Sequence, residues 1–372
     1  MPKIVLFGAT GYTGRLTAEA LTAHGDSPVL AGRNATALAK LAADLGGART
    51  AVADVTDPGS VKALLDRGDV LVTTVGPFLR HGGPALAAAI SAGAHYIDST
   101  GEGPFIRTVF EHDGQARTAG VALLTAFGFD YVPGNLAAGL ALREAPTAVR
   151  VDVGYFMDGP STSGGTRASM AGMLFERGFA LRDGKIVTEP SGAHLRSFDV
   201  AGKARTAVSI PGSEHFAFTR SHPNLRTVDV FLGLPPVVAR GLQIGSRLAA
   251  AAGQLAPLRH GLETALARAV KGSTGGPDAQ ARARTRGWVV AEAYDDRDNL
   301  AASVTLGGGD PYDFTAHMLA WAAHAALAGG LLDTGALGPV EAFGLDALQA
   351  AAIDAGWRRN PATRTPGQGP TS

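Results

Sequence analysis

Near its start the chain reads Lys3-Ile-Val-Leu-Phe-Gly8-Ala-Thr-Gly11-Tyr-Thr-Gly14. Four apolar residues, Ile4 to Phe7, run straight into three glycines spaced three apart. A short apolar run ended by a glycine-rich turn reads as a buried strand. A helical pattern, with Leu16 and Ala20 on one face, follows from about Tyr12 to His24. Strand, glycine turn and helix in that order make a dinucleotide site. The first glycine permits a tight turn, the second lets backbone approach a pyrophosphate, and the third lets helix pack on strand. The helix N-terminus then faces the phosphates. Gly8, Thr10, Gly11, Tyr12, Thr13 and Gly14 are therefore expected to hold a dinucleotide; the alternative is a plain glycine-rich turn.

The alternation continues. Val29 to Ala31, Ala51 to Ala53, Val70 to Val75, Tyr96 to Asp98 and Val121 to Leu124 read as strands. Helices are expected at Ala35 to Leu45, Pro58 to Leu65, Pro84 to Ala92 and Thr108 to Ala119. Six short strands interleaved with helices imply an α/β fold with a Rossmann-type, doubly wound parallel sheet. From about Val149 the period becomes two, at Val149 to Val153, Val228 to Leu232, Trp288 to Tyr294 and Leu300 to Leu306. The last two read as a hairpin. The expected organisation is a dinucleotide-binding domain over 1–130 and a second α+β domain over 131–329. An Ala/Leu-rich helical excursion at 235–269 is expected to border or lid the substrate pocket, and 358–372 reads as a disordered tail.

Cofactor selectivity is read at the end of the second strand, where an acidic residue would hold the ribose hydroxyls of NAD. Here the chain offers Arg33-Asn34, and a guanidinium suits a 2′-phosphate. NADP(H) is the expected cofactor, with a mere surface arginine as the alternative. Asp54 is placed either at the adenine edge or as a cap of the turn before Pro58. Val75, Gly76, Pro77 and Phe78, at the carboxyl end of the fourth strand, are expected beside the nicotinamide ribose.

Composition narrows the chemistry. Lys+Arg and Asp+Glu are each 33, so no bulk field favours nucleic acid. Cysteine is absent, which excludes disulfides, thiol nucleophiles and thiolate metal sites, and fits a cytoplasmic protein. No apolar stretch reaches membrane-spanning length and Ile4 to Phe7 is too short for a signal peptide, so no integral membrane segment is expected; peripheral association with a membrane is a secondary reading. None of the six lysines lies four residues after a tyrosine, so the proton relay of short-chain dehydrogenases is missing. No GxSxG elbow or HExxH motif is present, and no metal is expected.

Several motifs recur together: Gly8 to Gly14; Val75-Gly-Pro-Phe78 with Gly82; His95-Tyr-Ile-Asp-Ser-Thr-Gly-Glu102; Phe127-Gly-Phe-Asp130 with Pro133; Ser163-Gly-Gly-Thr166; and Gly308-Gly-Asp-Pro311. In that order they resemble the saccharopine dehydrogenase-like oxidoreductases, which include trans-acting enoyl reductases. The resemblance is weak from Pro235 to Pro277. It implies an NADP-binding Rossmann domain, a second domain with a largely antiparallel sheet, and last helices (about 330–357) that return to the first domain. It further implies reduction of a small-molecule substrate, either at C=C of an apolar or acyl-like chain or at C=N. A non-catalytic NADP-binding sensor or scaffold is the reading of another class, and a homodimer would form through the second domain. For an enoyl acceptor, Ser163, Thr166 and the amides of Gly164 and Gly165 could bind the enolate oxygen. Tyr131 or Tyr96 is a candidate proton source, with a buried core role the competing reading for Tyr96, and His81 near the presumed nicotinamide end is a candidate catalytic residue, a solvated helix start being its alternative. Asp98, Glu102 and Asp130 are candidates to hold an iminium, although capping is a competing role.

Overall fold

The structure, a computed structural model, describes residues 1–159, 177–252 and 275–360. Six strands come first: β1 (Ile4–Phe7), β2 (Val29–Gly32), β3 (Thr50–Val52), β4 (Val70–Thr73), β5 (His95–Asp98) and β6 (Ala122–Leu124). Then follow β7 (Arg150–Asp158), β8 (Arg177–Arg182), β9 (Lys185–Pro190), β10 (Leu195–Val200), β11 (Lys203–Ser209), β12 (Thr227–Gly233), β13 (Arg286–Tyr294) and β14 (Leu300–Gly308). Two short strands close the described chain, β15 (Gly335–Ala336) and β16 (Arg358–Arg359).

The helices are α1 (Tyr12–Ala23), α2 (Ala35–Asp44), α3 (Pro58–Lys62), α4 (Phe78–Ala92), α5 (Gly103–Glu111), α6 (Asp113–Ala119) and α7 (Val132–Glu144). After them come α8 (Glu214–Ala217), α9 (Pro236–Ala252), α10 (Ala279–Arg284), α11 (Pro311–Leu327), α12 (Pro339–Phe343) and α13 (Leu345–Asp354).

Sheet A is parallel, in the order β15-β6-β5-β4-β1-β2-β3. Its central strands β1, β2 and β4 are buried and almost wholly apolar because both faces are covered, whereas the edge strand β3 is largely exposed. Ile4, Leu6, Leu30, Val70, Val72 and Ile97 join α1, α2 and α11 on one side. Val5, Phe7, Ala31, Leu71 and Tyr96 meet residues of α4, α5 and α6 on the other. The order reverses between β1 and β4, and ligands of such sheets bind in the crevice outside the carboxyl ends there.

Sheet B is mixed and mostly antiparallel, in the order β10-β11-β12-β7-β13-β14-β16, with β8 pairing β12 and β9. β7 and β12 are its parallel pair, and β13–β14 is the expected hairpin. Helix α7, buried on almost every side, packs on β7, β13 and β14. Its apolar neighbours belong to the same cluster as the α1 side of sheet A, so one core runs through both halves.

Several departures from the sequence reading have physical causes. Helix α4 starts at Phe78, not Pro84, because the Glu102 carboxylate accepts the Phe78 and Leu79 amides and caps a turn that Pro84 would otherwise begin. Pro84 then costs the helix one internal hydrogen bond. The Thr108-to-Ala119 helix divides into α5 and α6 at His112. Arg358 and Arg359, expected in the tail, pair with Gly307 and Leu306. Their neighbour Trp357, fully buried, packs against Phe314 and Phe129 at ring-centroid distances of 5.1 and 5.5 Å, and burying a large aromatic contributes upward of about 2 kcal/mol. The return to sheet A begins earlier than 330, because α11 already lies on α1, β1, β4 and β5.

The described part of the helical excursion, α9, docks on the β9–β10 turn, where Gln243 Nε2 donates to the Ala193 carbonyl at 3.0 Å. The rest of 235–269, the Ser163–Thr166 segment and residues 361–372 lie outside the described residues. Among the described residues, no helix is long and apolar enough to cross a membrane.

Candidate active site

The turn between β1 and α1 has the shape its glycines require. Gly8 takes φ +92°, and a Cβ there would lie 2.8 Å from Thr74 Oγ1. A Cβ on Gly14 would strike the Gly8 carbonyl oxygen. Gly11 differs: it is exposed, and its Cβ would meet only the Gly8 carbonyl, at 3.2 Å. That opening is the space a pyrophosphate needs. No side chain caps α1, so its first amides lack partners within the helix and face the opening with the positive end of the helix dipole. These residues fit a dinucleotide.

Tyr12 has a second duty. Its hydroxyl donates to the Pro277 carbonyl at 2.5 Å, and Arg282 Nη1 donates to the same hydroxyl at 3.2 Å. Tyr312 meets its ring edge-on at 5.1 Å, and Arg282 pairs with Asp313 at 2.8 Å. The side chain clamps a segment of the second half of the chain to the phosphate turn, leaving its backbone amide for a ligand.

At the end of β2, Arg33 is exposed and, among the described residues, its guanidinium makes no hydrogen bond or ion pair. A phosphate suits a guanidinium so placed. Asn34 caps α2, its Oδ1 accepting the Ala37 amide at 3.0 Å. Asp54 accepts from both the amide and hydroxyl of Thr56 at 2.9 Å. These bonds, aided by the charges of Arg33 and His81, hold its carboxyl below the usual range. His81 lies in the first turns of α4 and, among the described residues, its ring makes no hydrogen bond or ion pair.

At the other end, the loops after β4, β5 and β6 converge. Val75 is half-buried, while Gly76 and Pro77 are more open, and Phe78 is buried against Phe105 with ring centroids 5.8 Å apart. Three carboxylates stand behind them in different states. Asp98 is fully buried and accepts from the Thr100 amide, the Ala126 amide and the Thr125 hydroxyl, each at 2.9 Å. Burial raises it to about 6 despite those bonds. It ties the β5 and β6 loops together. Glu102 caps α4 with both oxygens, each 2.9 Å from an amide.

Asp130, unlike these two, makes no hydrogen bond among the described residues. Its carboxylate lies beside Gly101, whose Cβ would come within 2.9 Å of Oδ2. The residue is exposed to solvent, and desolvation by the protein around it raises its carboxyl to about 6, with no bond among the described residues to hold it down. Tyr131 is buried, and its hydroxyl donates to the Pro211 carbonyl at 2.9 Å. It joins the β6 loop to the segment before α8.

Beneath Asp130 lies a group that no sequence pattern announced. Glu214, on α8, is wholly buried, and Tyr155 from β7 donates to its Oε1 at 2.5 Å. Burial raises its carboxyl to about 8, with nearby Asp130 adding to the rise. It is therefore largely neutral at pH 7, and among the described residues its Oε2 has no hydrogen-bond partner. Asn135 Nδ2 donates to the Tyr131 carbonyl and to Ser213 Oγ at 2.9 and 3.0 Å. His215 is buried and pushed down to about 4 by desolvation. The only sequence trace of this cluster is small residues: a Cβ on Gly134 or Gly212 would collide with Glu214. Ser163, Gly164, Gly165 and Thr166 lie outside the described residues.

Residues 4–124 match the saccharopine dehydrogenase NADP binding domain family. A candidate trans-acting enoyl reductase of Mycobacterium tuberculosis is 40% identical over 185 residues, covering 46% of this chain and 44% of the relative. A trans-acting enoyl reductase of Mycobacterium leprae is 41% identical over 140 residues, covering 36% of this chain and 34% of the relative. The chain thus matches less than half the length of these relatives. Among solved structures, apo saccharopine dehydrogenase (L-Glu forming) from Saccharomyces cerevisiae shares the fold, with a TM-score of 0.59 at 14% identity over 97% of this chain and 100% of the yeast chain.

Proposed function

We propose that this chain, a saccharopine dehydrogenase-like NADP-dependent oxidoreductase, reduces an activated C=C bond of an apolar or acyl-like substrate. The observation that carries the reading is Asp130, a solvent-reachable carboxyl raised to about 6 and held by no hydrogen bond among the described residues, at the carboxyl edge of a sheet whose strands match an NADP-binding family. The names of relatives about 40% identical support the choice of an enoyl acceptor.

NADPH, when bound, supplies the hydride. Gly8 to Gly14 hold the pyrophosphate, Arg33 the 2′-phosphate, and Val75 to Phe78 flank the nicotinamide ribose. Hydride added at the β carbon leaves an enolate, which needs a proton at the α carbon and a partner for its oxygen. Asp130 gives that proton and recovers one from solvent; a group titrating near the working pH does both. Tyr131 positions the loop through Pro211. Neutral Glu214 keeps a second charge away from Asp130.

The same uncompensated carboxylate favours a second reading: Asp130 would hold a cationic iminium, making the enzyme a C=N reductase. NADPH oxidation against enoyl thioesters and against imines, in wild type and Asp130→Asn, separates the two. Turnover of enoyl thioesters, reduced about 10²- to 10⁴-fold by the substitution, is the expected result. Turnover of imines alone moves the assignment to C=N. Oxidation with neither class overturns both and leaves a binding protein.

A further inference from the structure

Far from this crevice, two imidazoles and a carboxylate converge. His24 closes α1, Asp26 lies two residues on, and His324 stands in the last turn of α11. His324 Nδ1 is 3.0 Å from Asp26 Oδ1, and His24 Nδ1 is 3.7 Å from Asp26 Oδ2. One ligand atom from each lies within 4.8 Å of the other two. The imidazole rings are 4.5 Å apart and tilted by 55°. Among the described residues, nothing hydrogen-bonds to the buried Asp26 Oδ2, an unmet demand for a proton or a cation.

We propose that His24, Asp26 and His324 form a binding site for a borderline divalent cation of the zinc type. Two imidazoles and a carboxylate are a donor set such ions take. Ligand atoms about 2 Å from a tetrahedral ion stand roughly 3.3 Å from one another, and the three donors already lie within 4.8 Å of one another, so small side-chain rotations would bring them to an ion. The backbone is fixed on all sides. The Gly25 amide donates to Thr22 and the Asp26 amide to Leu21, with Gly25 at φ +91°, so a Schellman turn sets the direction of Asp26. His324 sits on a buried helix packed along α1. Both histidine side chains are nearly half exposed, which gives the ion an entry path and leaves room for water in its remaining positions. Sequence spacing hid the set, because His324 lies 298 residues from Asp26. The ion would staple α1 to α11 at the end remote from the phosphate turn, since the 12 residues of α1 span about 18 Å.

The test is calorimetric titration of the full, tag-free chain with Zn²⁺, and with Co²⁺ followed by visible absorption. One ion per chain, an absorption band from bound Co²⁺, and a higher Tm with Zn²⁺ are expected. His324→Gln and Asp26→Asn should each weaken Zn²⁺ binding roughly tenfold or more, in keeping with losses seen for altered metal shells. Asp26→Asn keeps the Schellman turn and so guards against a variant that fails to fold. Unchanged affinity in either folded variant, or no Zn²⁺ binding by wild type, overturns the site and leaves a histidine–aspartate ion pair.

Discussion

Glu214→Gln tests the buried cluster quantitatively. In the native chain the Glu214 carboxyl titrates near 8, against an ordinary 4.5. The native state therefore keeps a proton that the unfolded chain releases between those values. A raised native value contributes stability that is complete below about pH 4.5 and lost as pH rises through 8. Within the window each pH unit weakens folding about tenfold, and the whole span amounts to on the order of 5 kcal/mol. Glutamine is isosteric with the neutral acid, and its carbonyl can still accept from Tyr155. It does not titrate. Urea denaturation of both proteins from pH 5 to pH 9 should give similar stabilities at pH 5. The curves should diverge above pH 6, with the variant clearly the more stable at pH 9. Asp130 and His215 also titrate and are common to both proteins, so the difference reports Glu214 together with its coupling to Asp130. Curves that stay parallel across the whole range would refute a neutral Glu214.

Gly11→Val should fold with a Tm near that of wild type yet lose NADPH binding by calorimetry, because its side chain fills the opening alone; Gly14→Val should fail to fold, its Cβ meeting the Gly8 carbonyl. Arg33→Ala should weaken NADPH by roughly 2 kcal/mol, about 30-fold, and leave NADH unchanged; equal losses for the two would count against a 2′-phosphate contact. Glu102→Ala removes two amide bonds from the first turn of α4. Leu79 is exposed enough for water to replace one, whereas Phe78 is buried, so thermal unfolding should show a loss of about 2 to 3 kcal/mol. An unchanged Tm would mean the cap is not holding the helix.

The first half of the fold was legible because its signals are local. Ile4 to Phe7 and the glycines after it fix a strand, a turn and a helix in one unbroken stretch, and five more strands repeat the pattern with small boundary errors. The second half resisted reading where its determinants are distant. Helix α7 is buried on nearly all sides, so no amphipathic period marks it. Strands β8 to β11 alternate weakly, with residues such as Lys185, Thr188 and Glu189 turned outward or only partly covered. Strand β15 is two residues long and exists only because β6 offers it an edge. The site divides in the same way. Gly8 to Gly14 and Arg33 are readable from neighbours in sequence. The roles of Asp98, Glu102 and Asp130 are not, because what separates a loop tie, a helix cap and an unbonded carboxyl is the set of amides each meets after folding. Glu214 was invisible. Its partner Tyr155 lies 59 residues away, and Asp130 is farther still, in a chain whose charges mostly face water.

The place of α11 and β15 on sheet A has a consequence for the chain as it is made. The nucleotide-binding half emerges first from the ribosome, but Phe314, Met318, Leu319 and Ala322 of α11 belong to its core, and Gly335 and Ala336 close its edge beside β6. More than half of the whole sequence separates Leu124, at the end of β6, from Ala336. At a synthesis rate of about 5–20 residues per second, the α1 side of sheet A stands uncovered and β6 keeps a bare edge for roughly 10 to 40 s. Exposed apolar surface and an unpaired strand are what holding chaperones recognise and what drives nascent chains together. Slow synthesis of the second half should therefore cost soluble yield more than slow synthesis of the first.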